Sequence, residues 1–254
     1  MKLGMDEART VAEHLATPDR KPYAATTNRA DDDGGVTMNG VSEDPSWLRS
    51  PMTDTAQIAA RYDEWAQTYE RELVREWRYQ APAIAARHLA DAGVVNPVLD
   101  VGCGTGLVGR FLREAGFDDI DGVDVSPASL DTARASGVYR ELSLADFNSG
   151  TLPFPDSAYA AVICVGVLSY AVDPGAVVEE FCRITQPDGQ LVLTHRVDLW
   201  EAQDFGGTLL ALQESGVLRD VVWTEPSEYM PGNEALADIR IRYVTATVTN
   251  SVEP

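Results

Sequence analysis

Basic residues are scarce in this chain of 254 residues. Twenty lysines and arginines stand against forty aspartates and glutamates, which gives a formal net charge of −20 at pH 7. Lys2 and Lys21 are its two lysines. A surface of this sign repels the phosphate backbones of nucleic acids. The charge balance therefore predicts that no nucleic acid is a partner.

Long hydrophobic runs are missing and cysteines are rare. No apolar stretch reaches the roughly 20 residues of a membrane-spanning helix, and no apolar run follows Lys2 as a secretory signal requires. Cys103, Cys164 and Cys182 are too few and too scattered for a disulfide framework or a zinc site. We therefore expect reduced thiols, no metal, no membrane association and a cytoplasmic location.

The chain divides into two parts by composition. Residues 1–50 are polar and acidic with several turn-forming residues, which predicts a poorly ordered arm. A short helix around Glu7–Ala16 and a translation start near Met52 are both compatible with this pattern. Residues 51–254 carry periodic apolar positions and are predicted to form one domain, in which 53–80 supply capping helices.

An aromatic stripe opens the domain. Ile58, Tyr62, Trp65 and Tyr69 recur at the spacing of one helical face, and Thr53-Asp54 can cap that helix. Strand and helix patterns then alternate, as in a doubly wound α/β sheet. The predicted strands are Val98–Val101, Ile120–Val125, Tyr139–Leu144, Ala158–Val165, Gln190–His195, Val217–Trp223 and Ile239–Val248. The predicted helices are Pro82–Ala92, Leu107–Glu114, one starting at Ser126-Pro127, Pro174–Thr185 and Gly207–Glu214, and Pro187-Asp188-Gly189 is a predicted turn.

The first strand runs directly into a glycine-rich loop, Gly102-Cys103-Gly104-Thr105-Gly106. Ligands of such sheets lie beyond the carboxyl ends of the strands, and glycines let the backbone approach them closely. The spacing is G-x-G-x-G, and Leu107 stands where a dinucleotide fingerprint needs its third glycine. This departure argues against a nicotinamide oxidoreductase, and no Gly-Lys-Ser/Thr follows to make a P-loop.

Carboxylates follow the next two strands. Asp124 ends the second strand and can accept both ribose hydroxyls of a nucleoside, while Asp146 after the third strand can accept an adenine amino group. Each has a simpler explanation: Asp100 can brace the loop, Asp124 can cap a helix, and Asp146 can sit in a turn. Their joint occurrence at successive strand ends favours a nucleoside site.

These motifs resemble those of the class I S-adenosylmethionine (SAM)-dependent methyltransferases. Val98–Gly106 looks like their motif I, and Gly122–Ser126 resembles the acidic second motif. Looser similarities at 62–69, 77–79 and 229–232 point to the Williams–Beuren-region methyltransferase-like group. The resemblance implies a Rossmann-like, seven-stranded, mostly parallel sheet with an antiparallel last strand, SAM as the donor and S-adenosylhomocysteine as its product.

The resemblance also implies a set of cofactor-binding residues. They are Asp100, Gly102, Cys103, Gly104, Gly106, Asp124, Val125, Asp146, Phe147, Val165 and Tyr69. Tyr69 or Tyr62 can reach the methionine carboxylate of SAM from a helix folded over the pocket, with core packing as the alternative. Many relatives carry a histidine pair after the fourth strand, where this chain has Leu168-Ser169-Tyr170.

Candidates for catalysis are few. His195 follows an apolar strand and is the best candidate for a general base, with a packed histidine as the alternative. Tyr170 can line the acceptor pocket, for which Trp200, Trp223, Tyr229 and Met230 are candidate apolar walls. We therefore expect a methyltransferase with a small-molecule acceptor. The alternatives are a SAM-binding protein without catalysis and, because acidity attracts basic partners, methylation of a protein.

Overall fold

The computed structural model describes residues 45–49, 52–66 and 68–249. Most of the predicted arm, including the candidate helix Glu7–Ala16, lies outside the described residues. Within them, Pro45–Arg49 forms a 3₁₀-helix. The domain boundary near residue 51 therefore stays a prediction.

Eight strands form a single sheet among the described residues. They are β1 Val98–Val101, β2 Ile120–Asp124, β3 Glu141–Leu144, β4 Tyr159–Cys164, β5 Thr185–Arg196, β6 Leu218–Trp223, β7 Ser227–Glu228 and β8 Arg240–Val248. The strand order is β3-β2-β1-β4-β5-β8-β6, and β7 pairs with β8 beside this path. Strands β1 to β5 pair in parallel, whereas β8 is antiparallel to β5 and β6. The seven-stranded path with an antiparallel last strand is confirmed, and the short β7 is an addition to it.

Helices cover both faces of this sheet. They are α1 Thr55–Trp65, α2 Ala81–Asp91, α3 Leu107–Glu114, α4 Pro127–Ser136, α5 Pro174–Ile184, α6 Val197–Ala202 and α7 Phe205–Glu214. Side chains of α2 and α3 share one core with Val98 and Ile163, while α5 and α7 share the other with Leu99 and Val162. Since neighbouring residues of one strand enter opposite cores, β1 and β4 are buried on both faces.

Local sequence signals set several helix starts. Asp54 accepts the Gln57 N–H at the start of α1, and Ser126 accepts the Ser129 N–H at the start of α4, where Pro127 holds the first helical position. Helix α1 ends at Trp65, so Tyr69 lies beyond it, and a π-helix follows at Arg71–Glu76. The π-helix and α6 had no recognised signal in the sequence.

One turn prediction is wrong. Pro187-Asp188-Gly189 lies inside β5, which runs without interruption from Thr185 to Arg196. The left-handed backbone of Asp188, with φ of 63°, bends the strand there. The register with β4 shifts between Tyr159 and Ala161. Turn-forming residues thus produce a strand irregularity, because pairing resumes on both sides of them.

We expect Gly122→Ala to destabilise the fold. A Cβ at Gly122 would lie 2.8 Å from Leu142 Cδ2, 2.9 Å from Cys103 Sγ and 3.1 Å from the Tyr139 ring. Overpacking of this kind costs about 1–3 kcal/mol. Urea denaturation measures the loss, and Ala135→Ser on the exposed face of α4 is the control. An unchanged free energy of unfolding in the Gly122 variant would contradict this packing.

Candidate functional site

A cavity lies beyond the carboxyl ends of β1, β2 and β4. This is the point at which the strand order reverses, where open α/β sheets bind their ligands. Residues of the strand-end loops form its floor, and aromatic residues from the N-terminal cap and the β7 region form its roof. The lining residues are Leu48, Ile58, Tyr62, Trp65, Tyr69, Leu73, Tyr79, Gly102, Gly104, Asp124, Val125, Val165, Gly166, Val167, Tyr170, Tyr229 and Met230.

The glycine loop forms part of the floor, and two of its glycines are required there. Gly102 has φ of 71°, and a Cβ on it would lie 2.5 Å from Val167 Cγ2. Gly104 has φ of 52° and faces open space, with no atom within 4 Å of an added Cβ. Its backbone is therefore bare toward the cavity, as close approach of a ligand requires.

Asp124 ties the loop to the end of β2. Its Oδ2 accepts the Gly104 N–H at 2.8 Å and its Oδ1 accepts the Ser126 N–H at 2.9 Å. Burial raises the pKa of this carboxyl, and the backbone N–H groups of Ser126 and Gly104 partly offset that rise. Asp124 also lines the cavity. A carboxylate held this way retains lone pairs for ligand hydroxyls, so it fits the ribose of a nucleoside.

Asp100 lies beneath the loop instead of in the cavity. It is fully buried, and its Oδ2 accepts the Tyr139 hydroxyl at 2.6 Å, while its Oδ1 has no hydrogen-bond partner among the described residues. Burial raises the pKa of Asp100 to about 7, against the opposing effect of the Tyr139 hydrogen bond. Tyr139 in turn accepts the Gly109 N–H at 3.2 Å. The geometry is that of a brace between β1 and α3.

Four other predicted cofactor residues also lie outside the lining, namely Cys103, Gly106, Phe147 and Asp146. Cys103 is buried and points under Gly122, and Gly106 caps α3 in a left-handed conformation. Phe147 is buried in the core on the α5 side. The structure thus brings Gly102, Gly104, Asp124, Val125, Val165, Tyr69 and Tyr170 to one cavity, and a direct role for the remaining predicted residues stays a prediction.

Both carboxylate oxygens of Asp146, the predicted adenine contact, accept hydrogen bonds from protein groups. Its Oδ1 accepts the Asn148 N–H at 2.8 Å at the start of the 3₁₀-helix Phe147–Ser149. Its Oδ2 accepts the Thr55 hydroxyl at 2.6 Å. Asp146 therefore caps a turn just after β3, and the same carboxylate also contacts the N-terminal cap.

The N-terminal cap contacts the ends of β1 and β2 as well. Glu70 Oε1 accepts the Thr105 hydroxyl at 2.9 Å and Arg110 Nη1 at 2.7 Å, beside the glycine loop. Asp63 Oδ1 accepts the Ala128 N–H at 3.1 Å, just after β2. Sequence reasoning missed these contacts, since charged residues on an exposed helical face usually meet water.

Aromatic side chains of the cap close the cavity. Tyr62 packs against Trp65 and Tyr69, and its hydroxyl lies 2.9 Å from that of Tyr170. Tyr69 and Tyr62 both line the cavity, and their contact with SAM stays a prediction. Burial raises the pKa of Tyr62 and Tyr69 well above the ordinary tyrosine value. These hydroxyls are therefore neutral at physiological pH and can act only as hydrogen-bonding groups.

His195, the predicted base, does not line the cavity. It is 1% exposed, its ring stacks on Phe205 at 4.5 Å, and its Nδ1 lies 2.9 Å from the Arg196 carbonyl oxygen. Burial lowers its pKa. Trp200 and Trp223 pack against each other at 5.4 Å on the same side. His195 therefore has the geometry of a packed histidine, because apolar side chains of α6 and α7 surround its ring.

Two of the residues suggested as apolar walls line the cavity, and the sequence analysis missed other lining residues. Tyr229 and Met230 line the cavity, as does Tyr79, whose ring meets that of Tyr229 at 5.2 Å. Tyr79 belongs to the Trp77-Arg78-Tyr79 stretch, which suggested a resemblance without indicating a role. Leu48 also lines the cavity, and the composition of residues 1–50 offered no signal for it.

Comparisons with known proteins agree with this geometry. A family model described as a methyltransferase domain matches residues 99–193. Human methyltransferase-like protein 27 is 37% identical over an alignment of 178 residues that covers 67% of this chain and 72% of that protein. Demethylmenaquinone methyltransferase of Deinococcus radiodurans is 35% identical over 142 residues, covering 54% of this chain and 56% of that enzyme.

A solved structure shows the same fold. In a complex between the Haloferax volcanii Trm112 methyltransferase activator and a methyltransferase, one chain matches with a TM-score of 0.56 and 19% identity, over 78% of this chain and 100% of that chain. Fold and cavity define a Rossmann-like methyltransferase. The chain belongs to the class I SAM-dependent methyltransferases, as its motifs predicted.

Two absences complete the description. In the described ranges, no helix is long and apolar enough to cross a membrane. The same part of the chain holds no group of three or more His, Cys, Asp or Glu side chains placed to bind a metal ion.

The buried Asp100 predicts a pH-dependent stability. Its pKa of about 7 in the folded state exceeds the ordinary 3.8, so its contribution is full below pH 4 and is lost as pH rises through 7. Asp100→Asn keeps an acceptor for Tyr139 and cannot ionise. Between pH 5 and 8 we expect wild type to lose on the order of 2 kcal/mol more than the variant in denaturant titrations without cofactor. If the free energies of unfolding of wild type and variant changed with pH in parallel, Asp100 would ionise as readily as an exposed aspartate, which would contradict the prediction.

Proposed function

We propose that the protein transfers a methyl group from SAM to a small-molecule acceptor inside the cap-covered cavity. The observation that carries this proposal is the meeting of Gly104 and Asp124 in one cavity, beneath Tyr62 and Tyr69. The cavity lining is mostly apolar and aromatic with a few polar groups, as in small-molecule sites. A roof made of the chain's own aromatic residues favours a small acceptor over a protein side chain.

The donor's position follows from the sheet order. Asp124 at the end of β2 would hold the ribose. The methionine part of SAM would lie along the exposed backbone of Gly102 and Gly104. Asp146 and Phe147, on the β3 side, would meet the adenine. The sulfur would then lie toward β4, near Val165. This assignment uses the residues that share the cavity and their neighbours at the same sheet edge.

Positioning supplies much of the catalysis in this proposal. The sulfonium of SAM is an activated methyl donor, so an aligned acceptor can react without further activation of the donor. Cap residues exclude water from the cavity, because Tyr62, Trp65 and Tyr69 cover it from one side. Tyrosine faces also favour a cation. No metal is part of the proposed reaction, and S-adenosylhomocysteine is its second product.

Asp124→Ala tests the cofactor site. The change removes the acceptor for two backbone N–H groups and the proposed ribose contact, so SAM affinity should fall by about tenfold to a hundredfold. Isothermal titration measures it. Asp131→Ala is the matched control, since Asp131 is exposed on α4 and pairs with Arg134 alone among the described partners. Equal affinities in all three proteins would refute the assignment.

Turnover separates catalysis from binding alone. Wild type incubated with SAM and a cell metabolite extract should form S-adenosylhomocysteine at a rate that depends on the extract, as mass spectrometry can follow. Tight SAM binding without any S-adenosylhomocysteine would favour the alternative of a non-catalytic SAM-binding protein.

A further inference from the structure

The cavity is almost free of charge, although the chain carries a net charge of −20. Of the described residues that line it, Asp124 alone is charged, and both of its oxygens already accept backbone N–H groups. The rest of the lining is aromatic, aliphatic or glycine. A buried charge without a partner is costly. An acceptor that arrived with a charge of its own would therefore find no counterion.

One arginine is buried among the described residues, and it does not itself line the cavity. Arg196, at the end of β5, is 7% exposed and donates to the Leu48 and Arg49 carbonyl oxygens. Its Nε and Nη2 also donate to the Asp198 carboxylate at 3.0 and 2.6 Å. The guanidinium thus holds the strand end and the 3₁₀-helix Pro45–Arg49 together, and it leaves the cavity without a positive group.

Two tyrosine hydroxyls converge at the end of β4. Gly166, with φ of 76°, directly follows Val165, and a Cβ on Gly166 would lie 2.6 Å from Tyr79 Oη and 3.0 Å from Tyr229 Oη. The Gly166 N–H donates to Thr194 Oγ1 at 2.7 Å, which fixes this backbone to β5. The Tyr79 and Tyr229 rings pack edge to face, with 5.2 Å between their centroids. Burial raises the pKa of both, so they stay neutral hydroxyls.

Sheet order places this pair beyond the donor. With the ribose at β2 and the donor's chain at β1, the next strand in the order is β4. Gly166 lies at its end, so Tyr79 and Tyr229 cover the half of the cavity that the nucleoside leaves open. Each phenolic oxygen has two lone pairs and one proton, so both hydroxyls can accept a hydrogen bond from a ligand.

We propose that Tyr79 and Tyr229 form the acceptor subsite and that the acceptor is an uncharged primary or secondary amine. This inference rests on the methyl transfer proposed above. The N–H of such an amine donates to the phenolic oxygens, which turns the nitrogen lone pair toward the donor's methyl group.

The charge balance of the reaction supports an amine. The nitrogen lone pair forms the new N–C bond as the C–S bond breaks with its electron pair on sulfur. The positive charge moves from sulfur to nitrogen within the same aromatic lining, and the ammonium product loses its proton to solvent after release. A hydroxyl acceptor would instead need a base, and the described lining offers no imidazole and no carboxylate other than the engaged Asp124.

Sinefungin tests the subsite without knowledge of the natural acceptor, because it carries an amine in place of the transferred methyl group. We expect Tyr229→Phe to weaken sinefungin binding about tenfold, the effect of one lost hydrogen bond, and to change S-adenosylhomocysteine binding less than twofold. Tyr159→Phe is the control, since its hydroxyl binds Asp121 outside the cavity. Equal losses for both ligands, or no loss for sinefungin, would overturn the subsite. Failure of wild type to bind SAM would instead count against the proposed function.

Isotope transfer tests the acceptor class. Wild type receives SAM with a deuterated methyl group and a cell metabolite extract, and mass spectrometry locates the label. We expect it on the nitrogen of an amine, with kcat/KM rising with pH as more of that amine becomes free base. Tyr229→Phe should raise the KM of this amine about tenfold and leave SAM affinity unchanged. A label on oxygen, carbon or sulfur, or no labelled amine in the extract, would overturn the amine assignment.

Discussion

The site depends on how the glycine loop is anchored to the neighbouring strand. The Gly102 and Cys103 N–H groups donate to the Val123 carbonyl oxygen at 2.8 and 3.1 Å, and the Gly104 N–H donates to the Asp124 carboxylate. Three successive N–H groups of the loop are thereby held by the end of β2. The loop needs this support because its backbone must stay bare toward the cavity, where no side chain of its own can brace it. Asp124 thus holds the loop, and under the proposed function the same carboxylate would also bind the ribose.

The N-terminal cap depends on the same anchored loop. Its polar contacts reach the ends of β1, β2 and β3, and each falls within a few residues of a glycine or carboxylate of the site. An amphipathic helix covers an apolar surface without specifying where along it to lie. Here the polar contacts supply that position, so the aromatic residues of the cap come to rest over Asp124 and Gly104.

Charge is distributed unevenly between the surface and the cavity. Most aspartates and glutamates of the described residues are exposed, where carboxylates are solvated, while neutral hydroxyls and apolar groups line the cavity beside Asp124. Phenols suit such an interior because burial raises their pKa and keeps them uncharged. They keep hydrogen-bonding capacity without an ionic partner. A methyl transfer that only relocates a positive charge is compatible with this lining.

Much of the fold could be predicted from local sequence. Val98–Val101 and Leu107–Glu114 occur with the predicted bounds, because a fully buried parallel strand and a glycine-delimited helix leave direct patterns in the chain. The strand irregularity at Pro187–Gly189 could not be predicted in this way, because turn-forming residues can either bend a strand or end it. Only the pairing of β5 with β4 and β8 decides between these two outcomes. The short β7 and the π-helix likewise depend on neighbours distant in sequence.

The candidate site likewise contains residues that local sequence predicts and residues that only the folded structure brings together. The sequence by itself determined the glycine spacing and Asp124, because these residues sit next to strand ends and their chemistry follows from that position. Only the tertiary structure decided that Tyr79 and Tyr229 meet over Gly166, since they lie about 150 residues apart and either is equally suited to a core. It also removed His195 from the cavity, because a residue after a strand can face either side of the sheet and here α6 and α7 bury it. Short-range patterns thus indicate the groups proposed to bind the donor, whereas the proposed acceptor subsite consists of side chains that only folding brings together.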